Sequence, residues 1–296
     1  MRAQSAWMNR LHVLVAIAAL FSAAPSADSA GSLSAPKPGD AYEITLDREM
    51  SQKGSNGSTG SSTDRDTIVE RVVAVRPDGL ELEYDLPKDT TSQGQSRGWQ
   101  FPARVFKRGH APMQLLNGPQ LEARVDAWLA AGGLTRASCG QVIFTWNAFR
   151  IECDPQSVTK TLETFDLDAI DLREGAPFQD PMAIAPTMLK RVAKRGSGPT
   201  FAAETAVDAD AVRRGRADTD VAVAQLLGKP ISHDAALSER EKDIVSGTVS
   251  VAFDVGSDGK VRRRTKTTKL EIRRPNGVVE TRTVTETTER RPVTGM

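Results

Sequence analysis

The stretch Asp66 to Leu86, DTIVERVVAVRPDGLELEYDL, constrains the fold of this chain more than any other. Two runs of alternating residues, rich in β-branched side chains, flank Pro77-Asp78-Gly79. There, proline presets the φ of a type I turn and glycine is expected to take the left-handed position that closes the strands. The stretch therefore reads as a β-hairpin. Pairing about that turn sets Val72 opposite Tyr84 and Ala74 opposite Leu82, with Ile68, Leu80 and Leu86 on the same apolar face. On the other face Arg71 opposes Asp85, and Glu81 and Glu83 lie beside Val75 and Val73, so that face is half solvated.

The N-terminus carries Arg2 and Arg10, an apolar run from Leu11 to Phe21, and small residues through Ala30. That is the layout of a secretory signal peptide over residues 1–30. A membrane-spanning helix needs about 20 apolar residues, and this run is shorter. The mature chain is then expected to be soluble, without a transmembrane segment, in the periplasm or secreted. Removing the leader takes away Arg2, Arg10 and Asp28 and leaves basic and acidic residues in balance. A neutral chain has no general pull toward nucleic acid, but its charge is uneven. From Lys260 to Arg291 eleven basic residues stand against four glutamates.

After a Pro/Gly linker, Tyr42, Ile44 and Leu46 alternate with polar residues as a first strand. Residues 51–64, SQKGSNGSTGSSTD, have nothing apolar to bury and read as a mobile hairpin loop. A second polar loop runs from Lys88 to Gly98, followed by a strand that Pro102 holds at an edge or bulge. Asn117-Gly118-Pro119 opens a helix with Leu121, Val125, Trp128 and Leu129 on one stripe. Cys139 and Cys153 are equidistant from Trp146, the midpoint of a second hairpin, and so face each other across it. In an exported chain, that placement predicts one disulfide. Asp154-Pro155 opens a helix bearing Val158, Leu162 and Phe165. Residues 182–195 read as a short basic amphipathic helix, Thr200 to Val207 as a strand, Asp208 to Leu227 as a helix, and Ser232 to about Val245 as another.

The last fifty residues return to strands. Val249, Val251, Phe253 and Val255 alternate; Lys260–Arg273 then pairs through Pro275-Asn276-Gly277 with Val278–Arg291. Pairing about Asn276 sets Lys266 against Glu286, Arg263 against Glu289, Thr265 against Thr287 and Thr267 against Thr285. With few apolar residues, this hairpin reads as a solvated ribbon that extends a sheet and guards its edge with charge. Arg262, Arg263, Arg264, Lys266 and Lys269 are its candidate contacts to an anionic ligand.

Chemical motifs are sparse. His110 and His233 have no second ligand at metal-site spacing, so no metal and no cofactor are expected. Ser157-x-x-Lys160 resembles the serine-lysine pair of penicillin-binding enzymes. The later triplets Ser257-Asp258-Gly259 and Lys266-Thr267-Thr268 each fail at the third position, and they sit on one hairpin. No nucleophile elbow, phosphate loop or dinucleotide fingerprint is present, and no residue is assigned a catalytic role.

The fold class that follows is α+β: an antiparallel, curved β-sheet of meander hairpins covered by helices on one face. After the leader come a β-rich domain with two helices and the disulfide hairpin (31–175), a mainly helical segment (176–247), and charged C-terminal hairpins completing the sheet (248–296). In layout this is similar to the half-barrel carriers of lipids and lipoproteins in the bacterial periplasm, although no motif carries the likeness. The function expected is that of a non-catalytic exported envelope protein binding an apolar or anionic ligand, with a lipid or an envelope protein as partner. The alternatives are an exported hydrolase, or a structural component of an envelope assembly that adds strands to a neighbour.

Overall fold

The computed structural model describes residues 35–88, 98–144, 148–192 and 198–293. The leader, most of the Lys88–Gly98 loop and Trp146 lie outside the described residues. The N-terminal strands are β1 (Ala41–Gly54), β2 (Thr59–Arg76), β3 (Gly79–Asp85), β4 (Ala103–Lys107) and β5 (Gln114–Leu115). Helix α1 (Gly118–Ala131), the small hairpin β6 (Val142–Phe144) and β7 (Ala148–Arg150), and α2 (Ser157–Phe165) follow. Then come the short pair β8 (Pro177–Phe178) and β9 (Thr187–Met188), β10 (Lys190–Val192), β11 (Thr200–Ala206), α3 (Ala209–Leu226) and α4 (His233–Arg240). The chain ends in β12 (Ile244–Val255), β13 (Val261–Arg273) and β14 (Val279–Pro292).

Ten of these strands form one antiparallel sheet in the order β10-β11-β12-β13-β14-β1-β2-β3-β4-β5. Each neighbour follows its partner in sequence except at one seam, where β14 pairs with β1 along its length, from Tyr42↔Pro292 to Gly54↔Glu280. The charged ribbon therefore lies at the middle of the sheet rather than at its edge. Its internal register is the one expected, with Lys266↔Glu286, Arg263↔Glu289, Thr265↔Thr287 and Thr267↔Thr285. The actual edges are the three-residue β10 and the two-residue β5. Strands this short offer little for another chain to pair with.

The β2–β3 hairpin differs from expectation in register. Val72 pairs with Leu82, Arg71 with Glu83 and Glu70 with Tyr84, with an irregularity between Val72 and Ala74. The shift is two residues. Because side chains alternate with period two, the even shift leaves Ile68 to Val72 on their expected faces, whereas beyond the irregularity the shift is one residue and Ala74 and Val75 exchange faces, Ala74 opposing Glu81 and Val75 opposing Leu80. Gly79 is not left-handed; it pairs with Arg76 across the two-residue turn Pro77-Asp78. What demands glycine there is proximity, since a Cβ would sit 2.3 Å from the carbonyl oxygen of Lys107.

Three further expectations are overturned. Residues 51–64 are strand except for the turn after Gly54, with Ser51↔Ser61 on one side and Ser51↔Thr283 on the other. Backbone pairing to two neighbours holds β1 there without any apolar side chain. Residues 182–192 are not a helix; they supply β9 and the edge strand β10, which pairs Lys190 with Ala202. Pro186 disfavours helical geometry in the residue before it, and the ladder offered by β11 takes the rest. Finally, α4 stops at Arg240, and β12 begins at Ile244, five residues before the clean alternation.

Burial assigns the sheet faces. The first apolar cluster joins Ile44, Ile68, Val72, Leu82, Tyr84 and Val105 of β1–β4 to Leu121, Val125 and Leu129 of α1 and Val158, Leu162 and Phe165 of α2. Burying each such aliphatic or aromatic side chain stabilises the fold by roughly 1.5–3 kcal/mol. Trp128 packs against the same cluster half-buried. The second cluster holds Leu167, Phe178, Leu189, Phe201, Val251 and Phe253, and the third holds Val207, Val212, Val249, Leu270 and Ile272. Between the first cluster and the other two runs β14. On the same face its residues are Glu280, Arg282, Val284, Glu286, Thr288 and Arg290, a mostly polar seam through the interior. The Cys139–Cys153 disulfide is formed, and the small hairpin pairs Val142 with Arg150 about the expected midpoint.

Candidate functional site

A cleft of about 310 Å3 opens where the seam meets the first hairpin. It is at the small end of the range for small-molecule sites, roughly 300–1,000 Å3. Its apolar wall is Val72, Leu80 and Leu82 with Pro36. The alternation of β2 and β3 puts these side chains on one face. Its polar wall is Glu70, Lys107, His110, Asp168, Lys260 and Arg290, with Tyr42 between the two walls.

Glu70 is the acid that falls in step with Ile68 and Val72, and it is therefore carried into the interior. Burying a carboxylate requires partners. It accepts from the Tyr84 hydroxyl at 2.7 Å and from Arg290 Nη2 at 3.1 Å. Arg290 Nη1 donates to Asp168 Oδ2 at 2.7 Å. Lys107, on β4, forms a buried ion pair with Asp166. His110 Nδ1 donates to the carbonyl oxygen of Asp168 at 2.8 Å, which sets the proton on Nδ1. Arg264 holds the same segment from below, donating to the carbonyl oxygens of Asp166 and Thr164 at 3.2 and 2.5 Å. The short run from Thr164 to Asp168 is thus tied to the sheet by four separate cations or donors. It also bridges the cores, with Phe165 in the first cluster and Leu167 in the second.

Charge shapes the ionisation of these groups. Burial pushes the Tyr84 hydroxyl well above its ordinary pKa, and Glu70 adds to the rise. For Asp168, burial acts upward, but Arg290, supported by Lys107 and Lys260, brings the carboxyl below its usual value. Burial acts against the Arg290 cation, yet Glu70 and Asp168 more than offset it and hold the guanidinium charged. Lys260 differs from the others: its Nζ donates to the Tyr42 hydroxyl at 3.0 Å and lies 5.1 Å from that ring's centre. Arg290 stands 5.4 Å from the same ring. Among the described residues, Lys260 makes no ion pair.

The five basic residues expected to contact an anionic ligand are not brought together. Arg262 pairs with Asp258 at 2.5 Å and Arg263 with Glu289. Arg264 and Lys266 share the inner face; Lys266 bonds Asp180 at 3.2 Å and Glu286 at 3.0 Å. Lys269 is exposed on the outer face. Ser157 opens its helix, its hydroxyl donating to the carbonyl oxygen of Asp154 at 2.6 Å, and His233 is an exposed partner of Asp218. The cleft residues Glu70, Lys107, Asp168, Lys260 and Arg290 were not singled out by the sequence. Only the phase of Glu70 within the apolar face of the hairpin gave a signal that could have found one of them.

No protein-family model matches the chain, and no curated protein does. Among solved structures, one described as lipid-protein interactions in lipovitellin is similar with a TM-score of 0.38 and 9% identity, over 88% of this chain and 26% of that one. A likeness of that size carries no argument about function. No helix among the described residues is long and apolar enough to cross a membrane.

Proposed function

We propose that this is an exported, non-catalytic protein that binds a small apolar or anionic ligand in the cleft between β2, β3 and the Asp166–Asp168 segment. The observation that carries the reading is a cleft with an aliphatic wall on one side and charged donors on the other. The disulfide supports export, because such bonds persist in oxidising compartments. The leader pattern points the same way.

The test is direct. An apolar fluorophore such as anilinonaphthalene sulfonate is expected to bind the folded protein at one site, and Leu80→Trp, which fills the cleft, is expected to abolish that signal without lowering the unfolding midpoint. Equal binding by both proteins would remove the cleft from consideration. The hydrolase alternative has its own measurement. Turnover of a short p-nitrophenyl ester that disappears in His110→Ala would favour it over simple binding.

A further inference from the structure

We infer, resting on the binding reading above, that the ligand is an amphiphile with a singly charged oxyanion head, a carboxylate in the simplest case, received by Lys260 beside Arg290. The argument is one of unused donors. Lys107 is closed by Asp166, and Arg290 is shared between Glu70 and Asp168. Lys260 has only the Tyr42 hydroxyl, which leaves two of the three N–H groups of an ammonium to be satisfied. Arg290 is almost wholly buried, with its side chain 4% exposed, and its Nε is buried without an acceptor. That nitrogen is closed to an oxygen in the cleft as it is to water, so the free N–H groups of Lys260 carry the assignment. The cleft thus presents surplus donors beside an aliphatic wall, and the complementary molecule has acceptor oxygens at one end and a hydrocarbon at the other.

The charge of the head is limited from the other side. Asp168 lines the cleft with its side chain 45% exposed, and Glu70 lies behind Arg290. One negative charge balances Lys260, the cleft cation without a carboxylate partner among the described residues, and the second charge of a dianion meets Glu70 and Asp168 with no such cation to offset it. Tyr42 helps to hold both cations: the Lys260 ammonium and the Arg290 guanidinium stand 5.1 and 5.4 Å from the centre of its ring, which attracts each.

Calorimetric titration with octanoate, octyl phosphate and 1-octanol at pH 8 and low salt tests the assignment in wild type, Lys260→Met and Lys260→Arg, each first matched for thermal midpoint. Octanoate is expected to bind wild type at least tenfold more tightly than octanol, in keeping with a charge-assisted hydrogen bond. Octyl phosphate, a dianion at this pH, is expected to bind no better than octanoate. Lys260→Met is expected to erase the octanoate preference while keeping octanol affinity, and Lys260→Arg to retain it. An octanoate preference that survives Lys260→Met, or tighter binding of octyl phosphate, overturns the head-group assignment and leaves the cleft as a binding site. Failure of wild type to bind any of the three overturns the binding reading itself.

Discussion

At the scale of single residues, Glu70 and Arg290 decide more than any apolar side chain around them. Each is almost fully buried and is held by the other, with Tyr84 supporting Glu70 and Asp168 supporting Arg290. Removing one partner leaves an uncompensated interior charge, so Glu70→Ala and Arg290→Met are each expected to cost about 3–5 kcal/mol in urea unfolding. The double variant Glu70→Leu with Arg290→Met is expected to cost clearly less than the sum, because the one carboxylate it leaves without its arginine, Asp168, is part-exposed to water. Asp168 gives a pH signature. Its carboxyl is depressed in the fold, so the stability it contributes is present at neutral pH and is lost as pH falls through its folded value. Acid titration of unfolding free energy from about pH 5 down to pH 2 is expected to show a steeper loss in wild type than in Asp168→Asn. None of this was legible from composition. In sequence, Glu70 sits among valines in VERVV, and hydrophobic pattern alone cannot distinguish an acid that breaks a face from one that an arginine 220 residues later makes acceptable.

At the scale of elements, what the sequence revealed was local and what it hid was distant. The turn chemistry of Pro77-Asp78-Gly79 and Pro275-Asn276-Gly277 located two hairpins, and the symmetry of Cys139 and Cys153 about residue 146 located the disulfide. Closure of that loop is expected to contribute about 3 kcal/mol, so the Cys139→Ser, Cys153→Ser variant should unfold at correspondingly lower urea, as followed by circular dichroism. The helix caps were also readable. Asp208 accepts from the backbone N–H of Asp210 at 2.8 Å, and Asp208→Ala is expected to cost about 1 kcal/mol. Residues 51–64 and 182–192 depart from the sequence expectation for one shared reason. Their strand conformation comes from ladders to β14, β1 and β11, and a stretch of chain carries no trace of the neighbour that will pair with it.

At the scale of the whole molecule, the sheet is two meanders, β1–β5 and β10–β14, fused along β1 and β14. The antiparallel, strand-rich class was legible because each meander is built from consecutive hairpins. The fusion was not, because the ribbon's charge and threonine content suggest a solvated margin. Its inner face instead meets counter-charges delivered from elsewhere in the chain, such as Arg216 of α3 at Glu280 and Asp180 at Lys266. If the two halves are cooperative, limited proteolysis should yield no stable fragment of either meander, and thermal unfolding should follow one transition by both near- and far-ultraviolet dichroism. The placement of β14 also imposes an order of events on biosynthesis. Until that strand has been made, β1 and β13 each keep one long edge of unpaired backbone groups, on the side that β14 will fill, and a nascent or truncated chain presents both to any neighbour. A cell making this protein has reason to keep it chaperoned until the ribbon arrives to close the gap.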